Sequence, residues 1–569
     1  MSYTLRPISN NEELKKYSEL TQTLLEGREI KTEREAEAFF APDYEKDLHD
    51  PFLLKDMDLA VARILKAIDN NEKILIYSDY DADGVPGGAV LYDFFTKIGL
   101  KNFTNYIPHR HLEGFGLNLE AVDEFAKDKV KLVITVDCGV TDIEEASRFA
   151  EHNIDLIITD HHLPGETLPC AIAVVDTKRA DCNYPNNNLC GAGVAFKLVQ
   201  ALLKTRDFGL KPGWEKWLLD LVGIATISDM VPLTGENRAL AYYGLKVLRV
   251  SPRPGLIKLF RRLKLDPRNI TEDDVGFSIS PRINAASRLG NPDDAFNMLI
   301  TTSETDGDRY AEHLEKLNNE RKGLVAALTK EVKKIISERY TSEKKRPVLV
   351  IGNPEWRPGL LGLAANSILD NHEGAVFLWG REGGDTGYLK GSCRSDGRIS
   401  VMELFKKVPA GILVDYGGHS VSGGFTVLVE KVHLLEDCLC SAYEELSSNT
   451  AVLPPIMIDW SLDVSDVNHR LWQELEKFCP FGIGNPKPLF LLSKVKLAEV
   501  KIFGKEKNHL ELILQNDKKK VSAIAFFSTT KTWGQELKTG NVVDIVATVE
   551  KNTFMNRNEI RLRIEEVIK

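Results

Sequence analysis

Three aspartates follow a short apolar segment near residue 80 and could bind metal ions. Residues 74–77 are apolar or aromatic and predict a buried strand; Asp79, Asp81 and Asp83 then follow, and Gly84 closes the segment. Carboxylates grouped beside a buried strand are costly unless cations neutralise them. In an extended segment, Asp81 and Asp83 would share one face about 7 Å apart, which suits two divalent cations with oxygen ligands. An ordinary acidic loop is the alternative.

Further apolar segments end in residues that can bind metal or move protons. The second ends at Asp137, the third at Asp160, His161 and His162, and a fourth at Asp176. Because helical patterns lie between them, the sequence predicts an α/β fold with a doubly wound, mostly parallel sheet. Ligands of such sheets bind beyond the carboxyl ends of the strands. These acidic and histidine side chains all fall at that edge.

The rest of the chain divides into segments of different composition. A segment with helical periodicity precedes the aspartates, a long charged helix follows the first sheet, and a second, smaller α/β segment begins near Arg346. The last segment has short alternating strands, which predicts a small β-barrel of the oligonucleotide-binding (OB) type, with a generic β-sandwich as the alternative. The predicted divisions are a helical lead-in 1–72, a main domain 73–302, a connecting helix 303–340, a second domain 341–450 and a barrel 455–569.

Several features could contact a polyanion. Residues 246–268 carry eight lysines and arginines against Asp266 alone, which predicts either a solvated helical face or a track for phosphates. Gly417, Gly418 and His419 predict a loop whose backbone approaches a ligand, or else a tight turn with a chance histidine. Aromatic residues of the last segment could stack on bases, although most of them fit a core. They are Phe481, Phe490, Phe503, Phe526, Phe527 and Phe554.

Composition narrows the class of protein. The 569 residues are 43 % hydrophobic and 27 % charged, as in ordinary multidomain globular proteins. The start lacks a secretory leader pattern and no apolar stretch approaches a membrane span, so we expect a cytoplasmic protein without a membrane partner. Eight cysteines without a C-x-x-C pair disfavour zinc and predict reduced thiols. The net charge of −10 argues mildly against nucleic-acid binding, but local charge matters more.

Taken in order along the chain, these motifs resemble those of the DHH phosphoesterase family. The matching segments are SDYDADG at 78–84, the strand end at Asp137, the triplet Asp160-His161-His162, SDMVPL with Asp229, SPRINAASRLG at 280–290, the GGH loop at 417–419 and FGIGNPKPLF at 481–490. The similarity spans nearly the whole chain and is greatest to members that degrade single-stranded DNA. It implies hydrolysis from the 5′ end to mononucleotides, in DNA repair and recombination, with two Mn²⁺ or Mg²⁺ ions.

The same resemblance implies roles for individual residues. The metal ligands would be Asp81, Asp83, Asp137, His161 and Asp229, with Asp137 bridging the two ions. His162 would face the scissile phosphate, and Asp79 would orient ligands. Substrate would be held by Arg110, Arg282, Ser392, Arg394, Gly417, Gly418 and His419.

Two other functions are compatible with the resemblance. One is hydrolysis of short oligonucleotides or cyclic dinucleotides, but such enzymes lack the barrel predicted here. The other is a non-catalytic single-strand scaffold, which would be expected to lose metal ligands, whereas all five positions are intact. The sequence departs from the family pattern at Tyr77 and Arg357, where relatives can have histidines, and at Ser287 and Cys393, where glycines are customary. The family also suggests a single-strand-binding protein and a repair helicase as partners, and we expect a monomer.

Overall fold

The structure is a computed structural model. It describes residues 3–340, 346–381, 387–447, 455–504, 507–517, 519–534, 536–552 and 559–568. Among these residues, no helix combines the length and the apolar character that crossing a membrane requires.

The N-terminal residues belong to two different cores. Their elements are β1 (Tyr3–Leu5), α1 (Glu19–Glu26), α2 (Glu33–Phe40), α3 (Tyr44–Asp47) and α4 (Met57–Asp69). Strand β1 pairs in parallel with residues 456–458, and Leu14, Leu24 and Leu25 are buried in the core of the C-terminal barrel. Helix α4 instead packs in the core of the main domain. The predicted lead-in is therefore divided between two cores, because some of its apolar residues pack on the barrel and others pack on the main domain.

A five-stranded parallel sheet forms the main domain. Its elements are β2 (Ile74–Ser78), α5 (Gly84–Lys97), β3 (Phe103–Tyr106), α6 (Leu119–Lys127), β4 (Leu132–Val136), α7 (Ile143–Glu151), β5 (Asp155–Asp160), β6 (Ala173–Asp176) and α8 (Gly191–Thr205). The strand order is β3-β2-β4-β5-β6. Every residue of β2 and β4 is buried, since α5 and α8 cover one face and α6 and α7 the other. The predicted doubly wound sheet is confirmed.

A helical segment follows the sheet and ends in a long connecting helix. It comprises α9 (Leu219–Ser228), α10 (Gly235–Leu248), α11 (Pro254–Leu263), α12 (Glu272–Asp274), α13 (Ser280–Leu289), α14 (Asp293–Ile300) and α15 (Glu304–Arg339). Two cations of the basic stretch 246–268 pair with α15: Lys258 with Glu304 at 2.5 Å and Arg262 with Asp308 at 3.0 Å. These ion pairs attach α11 to α15, so they do not favour a phosphate track at this position.

The second α/β domain has a mixed sheet. Its elements are β7 (Val348–Gly352), α16 (Pro358–Leu369), β8 (Ala375–Gly380), β9 (Tyr388–Ser395), α17 (Val401–Lys407), β10 (Leu413–Gly418), β11 (Ser422–Leu428) and α18 (Val432–Ser447). The order is β10-β11-β9-β8-β7, with β7 and β8 parallel and the other pairs antiparallel. The glycines of the GGH segment end β10, and the His419 amide donates to the Ser422 carbonyl at 2.7 Å, which closes a hairpin.

The C-terminal segment is a closed barrel preceded by a small helical entry. It contains β12 (Ile456–Ile458), β13 (Trp460–Ser461), α19 (His469–Leu475), β14 (Phe490–Phe503), β15 (His509–Gln515), β16 (Lys520–Ala525), β17 (Val542–Asn552) and β18 (Glu559–Ile568). The five strands pair in the order β14-β15-β16-β18-β17, and β17 pairs back onto β14. This closure confirms the predicted OB-type barrel and excludes the sandwich, in which two sheets would stay separate.

Candidate metal centre

The aspartates after β2 lie in a turn that starts α5. The Asp81 carboxylate accepts hydrogen bonds from the amides of Asp83, at 2.7 Å, and Gly84, at 3.1 Å. The amide of Ala82 donates to the side chain of Asn284 in α13 at 3.0 Å. The expectation of an extended segment with Asp81 and Asp83 on one face is wrong, because Asp81 satisfies the free amides at the start of a helix.

Asp83 is held by the beginning of α8. Its two carboxylate oxygens accept from the amides of Gly191, at 2.6 Å, and Ala192, at 2.8 Å. Burial and the neighbouring charge of Asp81 raise the pKa of Asp83 to about 7, although the two amides act in the opposite direction. A metal cation near this buried carboxylate would therefore be strongly favoured.

Asp137 occupies a backbone conformation that few side chains adopt. It follows β4 with φ +66°, and its amide donates to the Thr159 carbonyl at 3.0 Å. Gly191 packs so closely on it that a Cβ added to that glycine would lie 2.4 Å from Asp137 Cβ. The carboxylate is therefore fixed at the centre of the cluster by its own backbone and by α8.

His161 joins the aspartates from three different elements. Its Nε2 lies 3.0 Å from Asp137 Oδ1 and 3.6 Å from Asp83 Oδ2, and its Nδ1 lies 3.7 Å from Asp229 Oδ2. Burial and the positive charge of His162 lower the pKa of His161 to about 3. The ring is therefore neutral at physiological pH, as a metal-ligating imidazole must be.

Asp229 reaches the cluster from the C-terminal end of α9. Burial, followed by the charges of Asp83 and Asp81, raises its pKa to about 8. The segment after it contacts the FGIGNP loop of the C-terminal segment, because the Leu233 amide donates to the Ile483 carbonyl at 2.7 Å. The loop that precedes the barrel thus supports the residues directly following Asp229.

The donor set fits divalent metal ions. Three groups each bring ligand atoms within 4.8 Å of one another: Asp79-Asp81-Asp137, Asp83-His161-Asp229 and Asp137-His161-His162. Among the residues that the structure describes, one buried carboxylate oxygen of Asp79 and one of Asp137 accept no hydrogen bond. Burial and mutual repulsion raise the pKa of both carboxyls well above the usual range. Hard oxygen donors with a neutral imidazole are suited to Mn²⁺ or Mg²⁺, and Asp137 is shared between groups as a bridging ligand would be. Asp79, predicted to orient ligands, itself offers an oxygen beside Asp81.

His162 differs from His161 in its hydrogen-bond partner and in its protonation. Its Nδ1 lies 2.8 Å from Asp160 Oδ1, which also accepts from the amide of His161 at 2.7 Å. Burial opposes protonation of His162, but the hydrogen bond and charge of Asp160 outweigh it and raise the pKa to about 9. His162 is therefore a cation at neutral pH with a third of its side chain exposed. The supporting role of Asp160 was not assigned from the sequence, although its place in the triplet was visible.

Arginines surround the Asp79–Asp81 end of the cluster. Arg110 stacks over the ring of Tyr80 at 4.8 Å, and its charge acts on Asp79. Burial, and then the like charges of Arg110 and Arg321, lower the pKa of Arg288 to about 9. The Arg288 guanidinium donates to the Gly359 carbonyl of the second domain at 2.7 Å. An anion would be strongly favoured among these like charges.

Arg282 was predicted to hold substrate, but its guanidinium contacts other residues of the protein. Its side chain is buried, and its guanidinium donates to the Glu315 carboxylate at 2.8 Å and to the Ser278 carbonyl at 3.0 Å. These contacts attach α13 to α15. Arg288, six residues further along α13, has no carboxylate partner among the described residues and lies in the arginine group. Nothing in the sequence distinguished the two arginines, because both lie in SPRINAASRLG.

Charged groups of the main domain act on predicted residues of the second domain. Burial, then the charges of His162 and Lys178, lower the pKa of His419, which follows Gly417 and Gly418 in the hairpin. Ser392 and Arg394 lie against α16: a Cβ on Gly362 would be 2.8 Å from Ser392 Oγ and 3.0 Å from an Arg394 nitrogen. Arg394 also contributes to the positive surroundings of Arg288.

Two of the four departures from the family pattern, Tyr77 and Arg357, stand where relatives can have histidines. The ring of Tyr77 is fully buried in the core on one face of the sheet, and its hydroxyl donates to the Gly116 carbonyl at 2.9 Å. Arg357 directly precedes α16, and a Cβ added to Gly359 in the first turn of that helix would lie 2.9 Å from His111 Cε1. Neither side chain belongs to the three ligand groups of the described residues.

Comparison with known proteins places this site in a family. A profile described as "DHH family, N-terminal domain" matches residues 73–226, and one described as "RecJ OB domain" matches residues 458–566. The chain is 33 % identical to the single-stranded-DNA-specific exonuclease RecJ of Bacillus subtilis over 547 residues, covering 96 % of this chain and 67 % of the relative. It is 30 % identical to the RecJ of Haemophilus influenzae over 501 residues, covering 86 % of each.

Solved structures agree with the sequence relatives. RecJ from Thermus thermophilus in complex with Mn²⁺ superposes with a TM-score of 0.80 at 27 % identity, covering all of this chain and 79 % of that one. An exonuclease RecJ bound to manganese gives a TM-score of 0.57 at 32 % identity, covering 70 % of this chain and 96 % of that one. The two profile matches, the sequence relatives and the shared arrangement of domains agree. The chain therefore belongs to the RecJ family of DHH proteins.

Proposed function

We propose that this protein is a metal-dependent exonuclease that hydrolyses single-stranded DNA in the 5′ to 3′ direction and releases 5′-mononucleotides during DNA repair and recombination. The observation that carries the proposal is the carboxylate–histidine cluster, in which a buried oxygen of Asp79 and one of Asp137 accept no hydrogen bond from the part of the chain that the structure describes. The relatives named as single-stranded-DNA-specific exonucleases support the choice of substrate.

The cluster assigns distinct tasks to its side chains. Asp81, Asp83, Asp137, His161 and Asp229 would hold two divalent ions, which when bound supply an activated water and neutralise charge on the phosphate. His162, kept protonated by Asp160, can donate a hydrogen bond to a non-bridging phosphate oxygen as negative charge develops there. Because Asp160 is itself fixed by the Val140 amide at 3.0 Å, the donor is oriented before the substrate arrives.

The arginine group supports recognition of a 5′ phosphate. Arg110, Arg288 and Arg394 place positive charge beside the Asp81 end of the metal cluster. A terminal phosphate carries more negative charge than an internal one, so it would gain most from this site. Since the charge of His162 acts on His419 of the second domain and lowers its pKa, the strand would pass through the cleft between the two α/β domains.

The barrel offers an exposed aromatic surface for the strand beyond the cleft. Phe527 is 81 % exposed. Its ring and the rings of Phe503, His509 and Phe526 contact one another in four pairs, with centroid distances of 5.0–6.4 Å. Arg563 lies over the Phe526 ring at 5.3 Å. Aromatic faces with a nearby cation suit single-stranded bases. Of the other predicted aromatics, Phe481 and Phe490 are buried, and Phe554 lies outside the described residues.

Single-stranded DNA is the partner that the site supports. We further propose a monomer that works in the cytoplasm with a single-strand-binding protein and a repair helicase. The eight free cysteines fit a reducing compartment. Sedimentation analysis of the purified protein tests the oligomeric state, and co-purification from cells tests the protein partners.

The proposed activity is tested with a single-stranded DNA labelled at its 3′ end, with and without a 5′ phosphate, beside a matched duplex. In Mn²⁺ we expect progressive shortening of the single strand only, faster when the 5′ phosphate is present. Asp137→Ala serves as the inactive control, with strand binding retained. Binding without cleavage by the unaltered protein would indicate a scaffold, and cleavage confined to very short oligomers would indicate a small-substrate phosphodiesterase.

A further inference from the structure

Lys178 is a cation at the edge of the site to which the motifs assign no role. It follows the end of β6 by two residues. In the sheet, Asp176 of β6 pairs with Asp160 of β5. Two residues beyond these partners are Lys178 and His162, so both leave the same edge of the sheet on neighbouring strands.

The backbone that carries Lys178 is firmly held. Its amide donates to Asp176 Oδ1 at 2.6 Å, and the Thr177 hydroxyl donates to the Asn187 carbonyl at 3.2 Å. On the other side, Arg179 is buried and its guanidinium pairs with Asp181 at 2.8 Å. A side chain on such a firmly held backbone loses less conformational freedom when it binds a ligand.

Lys178 lies beside residues of both domains. In the main domain it follows β6, which pairs with β5, the strand from which His161 and His162 extend. After burial and the charge of His162, the charge of Lys178 contributes to the lowered pKa of His419 in the second domain. Among the described residues, however, Lys178, which is half-buried, forms no ion pair and no side-chain hydrogen bond. A cation in this setting is available to a ligand of the cleft.

The two groups of cations lie at different ends of the metal cluster. Arg110 follows β3, at one edge of the sheet, and its guanidinium lies over the Tyr80 ring beside Asp79 and Asp81. Lys178 follows β6, the strand at the opposite edge, next to the strand from which His161 and His162 extend. A strand with its 5′ phosphate among the arginines and its scissile phosphate at the cluster must continue past His161 and Asp229.

We propose that Lys178 binds the DNA phosphate immediately 3′ of the scissile phosphate, an inference that depends on the proposed exonuclease function. A compact ammonium suits this position because it attracts a phosphate of any nucleotide as a point charge, without reading the base. Lys178 then fixes the register of the strand, so that one nucleotide at a time lies between the arginines and the metal centre.

The test compares the unaltered protein, Lys178→Met and Lys178→Arg on 5′-phosphorylated single strands. Matched strands carry one uncharged methylphosphonate, either at the linkage after the scissile one or four linkages further on. We expect Lys178→Met to raise KM about 10-fold with little change in kcat and to reduce the slope of log KM against log salt by about one. Lys178→Arg should restore most of the affinity.

The modified strands distinguish a direct contact from a structural role. Neutralising the adjacent linkage should raise KM for the unaltered protein but have little further effect on Lys178→Met, whereas the distant linkage should affect both proteins equally. A full methylphosphonate effect in Lys178→Met, or an unchanged KM for that variant, would overturn the assignment. If the unaltered protein fails to degrade the unmodified strand, the exonuclease proposal itself fails. Thermal melting and Mn²⁺ titration of each variant show whether the fold and metal centre are intact.

Discussion

Replacing Gly191 by alanine tests whether α8 fixes the metal-binding carboxylates. The glycine amide holds Asp83 at 2.6 Å, and its Cα side faces Asp137. A Cβ at this position would lie 2.4 Å from Asp137 Cβ and 2.8 Å from its Cγ. Carbon atoms pack at about 3.5–4.0 Å, so the Asp137 carboxylate or the start of α8 must move by about 1 Å.

The expected loss follows from the tolerance of metal sites. Metal–ligand distances vary by only about 0.2 Å, and a displacement of about 1 Å near reacting groups can lower a rate about 100-fold. We therefore expect Gly191→Ala to reduce kcat/KM on single-stranded DNA at least about 100-fold and to weaken Mn²⁺ binding. The accompanying loss of folding stability should be about 1–3 kcal/mol, as for other overpacked buried positions.

Gly193→Ala in the same helical turn is the matched control. An added Cβ there meets nothing closer than 3.6 Å, which is ordinary van der Waals contact. Calorimetric titration with Mn²⁺ and initial rates on a labelled single strand should show Gly193→Ala close to the unaltered protein. If Gly191→Ala binds Mn²⁺ and cleaves DNA as well as Gly193→Ala does, the claim that α8 positions the carboxylates is refuted.

Three further perturbations probe other parts of the account. Mn²⁺ binding should weaken as pH falls from 8 to 6, because burial raises the pKa of Asp229 to about 8 and of Asp83 to about 7, and protons then compete with the metal. Calorimetry in buffers of different ionisation enthalpy should detect proton release when Mn²⁺ binds, and proton uptake would contradict this reasoning. Phe527→Ala should weaken binding of long strands by about 1–3 kcal/mol and leave short ones unaffected in a fluorescence-anisotropy assay; equal losses for both lengths would argue against a stacking surface on the barrel. Arg288→Ala should raise KM mainly for 5′-phosphorylated strands, whereas Arg282→Ala should mainly lower the melting temperature; the reverse pattern would restore the original assignment.

The fold could be predicted because its signals are local and repeated. Four of the five strands of the main sheet, all but β3, are largely apolar segments that end in a polar residue or are followed directly by one. This pattern indicated both the parallel sheet and the edge where Asp137 and His161 lie. The OB-type barrel followed from period-2 alternation, which is visible in β15 as strictly alternating burial. The pairing of β1 with residues 456–458 could not be foreseen, because three residues carry no pattern and their partner is over 450 positions away.

The contacts that hold the site residues in place were harder to predict than the site residues themselves. The amides of Gly191 and Ala192 hold Asp83 from a helix 108 positions further along the chain, and a backbone amide has no sequence signature. Arg282 and Arg288 share one motif, and only the position of Glu315 on α15 shows which of them is already paired. Lys178 likewise looks like an ordinary surface lysine until the register of β5 and β6 places it beside His162.

The central claim is that the carboxylate–histidine cluster binds two divalent ions bridged by Asp137. Anomalous scattering from Mn²⁺-soaked crystals of the unaltered protein measures this directly. We expect two manganese peaks about 3.5–4 Å apart, with an Asp137 oxygen next to each and His161 and Asp229 beside one of them. A single peak, or manganese bound away from these side chains, would contradict the account.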